Sequence, residues 1–396
     1  MQRIKIVAIF GTRPEAIKMA PLIKELERHD DVLETIVAVT AQHRAMLDQV
    51  LNLFNIVPKY DLGIMREGQS LSDVITRSVL GLEGPLTRER PDMTLVHGDT
   101  ATTFGGALIS FYHRIPVGHV EAGLRTRDKY NPFPEEMNRR LTGVVADLHF
   151  APTRNHKANL LAEKVEEERI FVTGNTVIDA LLDVAKRDAE PPGMERSISS
   201  LLAAVGAGAR RILLVTAHRR ENLGGPMEDI CLALRDILRS HGDVEIVFPV
   251  HKNPAVRRTV FEILGGEERA NLIEPVDYWT MVYLMKHSYF ILTDSGGLQE
   301  EAPSLGKPVL VLREVTERPE GVEAGTLRVV GTQRERVVAE ARRLLDDPAS
   351  YARMAGAVNP YGDGRASARI VQAILYYFGI SRTRPEPWEP EAVVQT

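Results

Sequence analysis

The chain has 396 residues, which is too long for one ordinary hydrophobic core and sufficient for two. With 44% hydrophobic and 26% charged residues it has a globular composition, and its formal net charge of −5 argues against a broad nucleic-acid or membrane footprint. The single cysteine, Cys231, excludes an intrachain disulfide framework. No apolar run approaches the ~20 residues of a spanning helix, so we expect a soluble, cytoplasmic protein.

Short apolar, β-branched runs alternate with longer amphipathic stretches, a pattern typical of parallel strands joined by helices. In the first half these runs predict strands at Ile4–Phe10, Thr35–Thr40, Met93–His97, Val117–Val120, Leu148–Ala151 and Ile170–Val172. In the second half they predict strands at Ile212–Thr216, Glu245–Val250, Asn271–Glu274, Tyr289–Thr293, Val309–Leu312 and Leu327–Val330. The sequence therefore predicts an α/β protein with two Rossmann-like, doubly wound parallel sheets.

Breaker-rich segments between Asn175 and Arg210 predict a hinge region. We therefore expect an N-terminal domain at 1–175 and a C-terminal domain at 176–364. A last helix is predicted at 366–380, with its regular part at Ala366–Tyr377, and the tail 381–396 is predicted to be mobile.

Charged residues follow several strands of the first half, where open parallel sheets bind ligands. Arg13 and Lys18 lie near a predicted helix start, which favours an anion, although an ordinary strand-to-helix turn would look the same. Asp99, Glu121 and Glu135 follow later strands and suggest acid/base or cation-stabilising chemistry. Asp99 could instead cap the next helix.

The second half has two candidate phosphate sites. His218 is followed by two arginines at the end of a strand, which suits a diphosphate clamp or a proton donor, although a lone histidine is more often structural. Ser295, Gly296 and Gly297 lead from a strand into a helix start, so main-chain N–H groups can face an oxyanion. A plain glycine-rich turn is the alternative. Glu301, one turn on, can accept from two ribose hydroxyls.

Together and in this order, these motifs resemble the non-hydrolysing UDP-N-acetylglucosamine 2-epimerases, which share the two-domain architecture of the GT-B glycosyltransferases. The segments that carry the resemblance are GTRPEAIKMAP, TAQHRAML, HGDT, HVEAGLRT, PFPEEMNRRLTG, TGNTVID, TAHRREN, DSGGLQEEAPSLGKPVLVLR and TERPEG. They extend from Gly11 to Gly321. The resemblance implies interconversion of UDP-N-acetylglucosamine and UDP-N-acetylmannosamine, without a cofactor or metal. It implies anti elimination of UDP to 2-acetamidoglucal and re-addition, and a role in cell-surface polysaccharide synthesis.

The resemblance also implies roles for individual residues. The four catalytic groups would be Asp99, Glu121, Glu135 and His218. The residues that bind the substrate and its UDP group would be Arg13, Lys18, Val276, Met281, Ser295, Gly296, Gly297, Glu301 and Arg318. The residues of an allosteric site for a second UDP-N-acetylglucosamine would be Gln42, His43 and Arg44. Ala45 stands where some allosteric members carry glutamine, which leaves activation open.

At the level of architecture, the resemblance implies a homodimer whose two domains face a central cleft. The last helix would return to the first domain, and neither nucleic acid nor a membrane would be a partner.

Three other functions remain open at this stage. A GT-B glycosyltransferase would need an acceptor-binding face, and the first half shows no basic or apolar patch of that kind. A hydrolysing relative would release free sugar. Whether the intermediate is hydrolysed depends on how well water is excluded from it. A catalytically silent sensor would lack at least one catalytic carboxylate, yet all three carboxylates and His218 are present.

Overall fold

The computed structural model describes residues 3–41, 44–66, 68–187, 189–194, 196–206 and 210–390. The chain divides into two compact units. The first consists of the residues up to Ala180 together with Tyr361–Glu389, and the second of Leu181–Pro360.

In the described part of the first unit, seven strands form one parallel sheet in the order β3-β2-β1-β4-β5-β6-β7. The strands are β1 (Ile4–Phe10), β2 (Leu33–Val39), β3 (Tyr60–Asp61), β4 (Met93–His97), β5 (Val117–Val120), β6 (Leu148–Ala151) and β7 (Ile170–Val172). The six predicted strands are present, and the short edge strand β3 is an addition that the sequence analysis missed.

In the described part of the second unit, six strands form a parallel sheet in the order β10-β9-β8-β11-β12-β13. The strands are β8 (Arg211–Thr216), β9 (Val244–Pro249), β10 (Ala270–Ile273), β11 (Phe290–Thr293), β12 (Val309–Val311) and β13 (Leu327–Val329). In both sheets the strand order reverses next to the first strand of the unit, which is the doubly wound arrangement. The predicted fold class of two doubly wound sheets is confirmed.

Helices connect the strands. Those that begin in the first unit are α1 (Arg13–Glu27), α2 (Arg44–Leu53), α3 (Leu71–Glu89), α4 (Ala101–Tyr112), α5 (Glu135–Val145), α6 (Arg154–Ala162), α7 (Thr176–Ala185) and α16 (Ala366–Tyr377). Those of the second unit are α8 (Arg196–Gly206), α9 (Gly225–Ser240), α10 (Pro254–Leu264), α11 (Tyr278–His287), α12 (Gly296–Glu301), α13 (Pro319–Glu323), α14 (Arg334–Asp346) and α15 (Pro348–Ala355). Among the described residues, no helix is both long enough and apolar enough to cross a membrane.

Each sheet is the centre of its unit's core. Ile6–Phe10 of β1 and Ile212–Val215 of β8 are almost completely buried, as expected for parallel strands with helices on both faces. Continuous apolar strands of this kind position the polar turns that follow them at one edge of the sheet.

Residues 381–389, the first part of the tail that was predicted to be mobile, pack against the first unit. The main-chain N–H of Trp388 donates to the carbonyl of Val172 on the edge strand β7, and the Trp388 ring is buried. Arg384 donates to the carbonyl of Ile170 and lies over the ring of Phe171. A buried tryptophan and the carbonyls of an edge strand explain why this segment packs there. Residues 391–396 lie outside the described part of the chain.

Candidate active site

The turn between β1 and α1 is organised by a buried carboxylate, Glu15. Its Oε2 accepts from the main-chain N–H groups of Gly11 at 3.1 Å and Thr12 at 2.8 Å. Gly11 has no space for a side chain, because a Cβ there would lie 2.0 Å from Oγ1 of Thr40. The turn places Arg13 at the first position of α1, and Arg13 forms no ion pair with any described residue.

The other oxygen of Glu15 reaches the neighbouring strand. Oε1 accepts from the hydroxyls of Thr100 at 2.7 Å and Thr103 at 3.1 Å, so one carboxylate links the turns after β1 and β4. Thr100 is the N-cap of α4, because its hydroxyl accepts from the N–H of Thr103. Thr100 therefore caps α4, and the alternative role of Asp99 as the helix cap is excluded. The Asp99 carboxylate is available for other contacts.

Two side chains of α5 bind Asp99. Its Oδ2 pairs with the guanidinium of Arg139 through Nη2 and through Nε at 3.1 Å. Its main-chain carbonyl accepts from Nδ2 of Asn138 at 2.9 Å. The completely buried Glu136 in turn accepts from Nη1 of Arg139 at 3.2 Å, which fixes the guanidinium against Asp99.

Glu121 is the most constrained of the three predicted carboxylates. Its backbone has a φ of 61°, a left-handed conformation that few residues other than glycine adopt and that is concentrated at functional sites. Its Oε2 lies 2.5 Å from Nζ of Lys18 and 2.9 Å from Nε2 of the buried His97. Burial opposes ionisation, but the positive charge of Lys18 and the contacts with Lys18 and His97 outweigh it and hold the pKa of Glu121 well below its usual range. Glu121 is thus an anion at neutral pH.

Glu135 is the first residue of α5 and is only partly buried. Among the described residues its carboxylate forms no hydrogen bond or ion pair, whereas its neighbour Glu136 is completely buried. The structure therefore brings Asp99 and Glu121 to the ends of the adjacent strands β4 and β5, and places Glu135 on the helix that contacts Asp99.

In the second unit, the turn after β8 is fixed by Asp294, a completely buried residue that follows β11. Its Oδ2 accepts from the main-chain N–H groups of His218 at 2.7 Å and Arg219 at 2.8 Å, and from Nδ2 of Asn222 at 3.0 Å. The imidazole of His218 is partly exposed and stacks on the ring of His251 with centroids 5.4 Å apart. Burial lowers the pKa of His218, and Asp294 opposes that shift.

The predicted phosphate site lies at the start of α12, with Ser295 as its N-cap. A Cβ on Gly296 would lie 3.6 Å from Nη2 of Arg318 and 3.8 Å from Nη2 of Arg219, so two guanidinium groups border this position. Arg318 is oriented by an ion pair from its Nε to the buried Glu300. A Cβ on Gly297 would meet only the Glu301 carboxylate and the Ser295 hydroxyl, at 3.5 and 3.8 Å. The helix start combines positive charge with N–H groups that lack helical partners, which suits an oxyanion.

Glu301 is buried at the end of α12, and its Oε1 accepts from the hydroxyl of Tyr278 at 2.8 Å. Tyr278 begins α11, where Asp277 is the N-cap. Val276 comes directly before this cap, and Met281, one turn into the helix, donates its N–H to the carbonyl of Asp277. Both side chains are partly buried.

The predicted allosteric residues are described only in part. Arg44 begins α2, is exposed and pairs with Asp61 at 2.8 Å. Gln42 and His43 lie outside the described residues. Within the described part of the chain, no group of three or more His, Cys, Asp or Glu side chains is placed to hold a metal ion.

Sequence reasoning missed the residues that orient the site. They are Glu15, His97, Arg139, Tyr278 and Asp294. For Glu15 a signal was available, because an acidic residue three positions after Thr12 fits a capping box. The other contacts join residues that are distant in the sequence, so no local pattern indicated them.

Known proteins are similar to this chain in sequence and in fold. A family model described as UDP-N-acetylglucosamine 2-epimerase matches residues 24–375. A Yersinia pestis protein named UDP-N-acetylglucosamine 2-epimerase is 56% identical over 371 residues, which cover 94% of this chain and 98% of that protein. The solved structure of the UDP-GlcNAc 2-epimerase from Neisseria meningitidis bound to UDP-GlcNAc is 47% identical with a TM-score of 0.84, and it covers 94% of this chain and all of that one.

A co-structure of S. aureus MnaA with UDP is 53% identical to this chain. Its TM-score is 0.85, and the match covers 97% of this chain and 100% of that one. These matches confirm the resemblance carried by the motifs, and the chain belongs to the UDP-N-acetylglucosamine 2-epimerase family.

Proposed function

We propose that the chain interconverts UDP-N-acetylglucosamine and UDP-N-acetylmannosamine by anti elimination of UDP to 2-acetamidoglucal and re-addition at C2. The product would supply precursors for cell-surface polysaccharide. The observation that carries the proposal is the environment of Glu121, a buried carboxylate kept ionised by Lys18 and His97 in a strained backbone conformation. An anion of this kind stabilises developing positive charge in a sugar ring.

The chemistry of the substrate explains the need for such a group. The C2 proton is not next to a carbonyl, so direct removal by a carboxylate would be too slow. Weakening of the C1–O bond gives the ring oxocarbenium character and makes the C2 proton removable. Because the proton leaves one face of C2 and returns to the other, two protonating groups are required. Asp99 and Glu135, together with Glu121, provide the carboxylates for these steps.

The second unit supplies the groups that the leaving UDP requires. The N–H groups at Gly296 and Gly297, with Arg219 and Arg318 beside them, would bind the diphosphate. Protonation of a phosphate oxygen is assigned to His218.

The remaining contacts would hold the nucleoside. Glu301, oriented by Tyr278, would accept from the ribose hydroxyls. The segment from Val276 to Met281 would border the uracil. Arg13 and Lys18 would also bind the nucleotide. Support for a UDP-sugar ligand comes from the Neisseria relative bound to UDP-GlcNAc and the Staphylococcus relative bound to UDP.

We also propose that the enzyme is a cytoplasmic homodimer. Apolar side chains at the end of α4 and on α5, namely Phe111, Tyr112 and Val144, are more than half exposed. A surface of this kind suits a contact with a second copy of the chain. Binding of an activating second UDP-N-acetylglucosamine near Arg44 stays a prediction.

Incubation of the purified protein with UDP-N-acetylglucosamine, with chelator present and no nicotinamide, tests the activity. Proton NMR should show UDP-N-acetylmannosamine, and the same mixture should form when the reaction starts from that epimer. Accumulation of free N-acetylmannosamine and UDP would instead establish the hydrolysing activity. An unchanged substrate would contradict the proposal and indicate a transferase or a sensor.

A further inference from the structure

The carboxylate of Asp294 has one satisfied and one unsatisfied oxygen. Oδ2 accepts three hydrogen bonds from the turn that carries His218. Oδ1 is buried and has no hydrogen-bond partner among the described residues. Nδ1 of His218 lies 3.4 Å from this oxygen. The unsatisfied oxygen therefore faces the imidazole of a proposed catalytic residue.

A buried oxygen of a carboxylate is costly unless a donor reaches it. A neutral imidazole carries one N–H, and a proton on Nδ1 would supply the missing donor after a shift of a few tenths of an ångström. With that proton on Nδ1, Nε2 of His218 would carry none. Nε2 has no partner among the described residues, so it is open to a ligand. This is the arrangement in which a third group orients a catalytic histidine.

We propose that Asp294 is a positioning residue that fixes the tautomer of His218, with hydrogen on Nδ1 and with Nε2 reserved for proton exchange with the diphosphate. The inference rests on the proposed function. In the elimination direction, His218 first takes a second proton from solvent on Nε2 and becomes an imidazolium. A catalytic carboxylate then removes the C2 proton, the C2–H electron pair forms the C1=C2 bond of the glycal, and the C1–O bond breaks with its electron pair going to the phosphate oxygen. The proton on Nε2 moves to that phosphate oxygen, and the neutral imidazole keeps hydrogen on Nδ1. Re-addition reverses these transfers.

Three groups facing His218 determine how its ionisation depends on pH. They are Asp294 after β11, His251 after β9 and Arg219 on its own turn. Burial, His251 and Arg219 lower the pKa of His218, whereas the negative charge of Asp294 raises it. Loss of that charge would lower the pKa further. The limb of the pH–rate profile that reports His218 should then move to lower pH.

Asp294→Asn tests the proposal. The amide oxygen can still accept from the N–H groups of His218 and Arg219, which keeps the turn in place. The amide NH₂ would then face Nδ1 and force the imidazole proton onto Nε2. We expect kcat to fall by about 100-fold or more with little change in KM. Long-range ¹H–¹⁵N correlation spectra of histidine-labelled protein should show His218 changing from the Nδ1–H to the Nε2–H form, with His218→Gln used to assign the signal.

Asn222→Ala is the matched control. It removes one donor to Oδ2 and a hydrogen bond to the carbonyl of Leu312, but leaves Oδ1 facing the imidazole. The turn should loosen, yet the tautomer of His218 should stay as in the wild type. A merely structural role for Asp294 would give both variants the wild-type tautomer and similar losses of kcat.

The wild-type spectrum, once the His218 signal is assigned, provides a test that does not depend on the folding of Asp294→Asn. A neutral His218 with its proton mainly on Nε2 would overturn the proposal, and so would an Asp294→Asn enzyme with kcat within threefold of the wild type. Failure of the proposed function is a different result, because then the wild-type protein itself would form no epimer.

Discussion

The start of α12 offers a substitution for which protein stability and ligand affinity should change in opposite directions. In Gly297→Ala, the added Cβ would lie 3.5 Å from Oε2 of Glu301 and 3.8 Å from Oγ of Ser295, both ordinary contact distances. The backbone φ of Gly297 is not in the left-handed region, so alanine introduces no strain. Because alanine restricts the unfolded chain, the free energy of unfolding should rise by about 0.4–1 kcal/mol.

The same methyl group would hinder a phosphate group from reaching the main-chain N–H groups at the start of α12. Loss of one charge-assisted hydrogen bond to a phosphate costs about 1.5–3 kcal/mol. That corresponds to UDP binding weaker by about 10- to 150-fold. Isothermal titration calorimetry with UDP measures the affinity, and urea unfolding measures the stability.

Gly266→Ala is the matched control for Gly297→Ala. Gly266 lies in the turn after α10, where an added Cβ would meet no atom within 4 Å. UDP affinity should be unchanged in this variant. An unchanged dissociation constant for UDP in Gly297→Ala, with the protein folded, would refute the assignment of the phosphate site.

Three further substitutions test separate parts of the structure. Glu121→Gln should lower turnover by about 100-fold or more, measured as the rate of epimer formation, while UDP binding stays nearly intact. Asp179 accepts from the N–H groups at the start of α16, and burial raises its pKa to about 6. Because the folded state keeps its proton to higher pH than the unfolded chain, stability should fall by roughly 2 kcal/mol between pH 4 and 7, and Asp179→Asn should reduce that fall in urea unfolding. Trp388→Ala should destabilise the first unit by about 3 kcal/mol, measured by circular dichroism, because its buried ring packs beside Arg369.

Each of these changes has a control on the same unit. Glu163→Gln removes an ion pair with Arg125 and should leave turnover near the wild-type value. Asp73→Asn changes a carboxyl of the first unit whose pKa is lowered by hydrogen bonds from Ser70, so it should not flatten the stability decline. Glu386→Ala changes an exposed residue of the C-terminal segment and should have no effect on unfolding. Equal effects in a variant and its control would contradict the reasoning for that pair.

The sequence predicted the central strands well because their signal is local. The runs at Met93–His97 and Val117–Val120 are apolar, buried and bounded by polar turns, and the structure has strands with those limits. The strand Tyr60–Asp61 was missed because two residues with a charged neighbour carry no periodicity. The packing of the tail on the first unit could not be predicted, because its proline-rich composition resembles a mobile end and the contacts of Arg384 and Trp388 reach residues far away in the sequence.

For the candidate site, the positions after strands could be predicted, but the contacts among them could not. Asp99 and Glu121 follow adjacent strands, which the sheet rule anticipates. The pairing of Asp99 with Arg139 and of Asp294 with the His218 turn joins residues 40 and 76 positions apart. Such contacts depend on which strands become neighbours, and local sequence patterns do not carry that information.

The most direct test of the account follows the C2 hydrogen in D₂O. UDP-N-acetylglucosamine is incubated with the wild-type enzyme in D₂O, and both epimers are analysed by proton NMR. Elimination and re-addition predict deuterium at C2 of UDP-N-acetylmannosamine, and loss of the C2 proton from recovered UDP-N-acetylglucosamine as equilibrium is approached. An epimer that retains its original C2 proton would contradict the account.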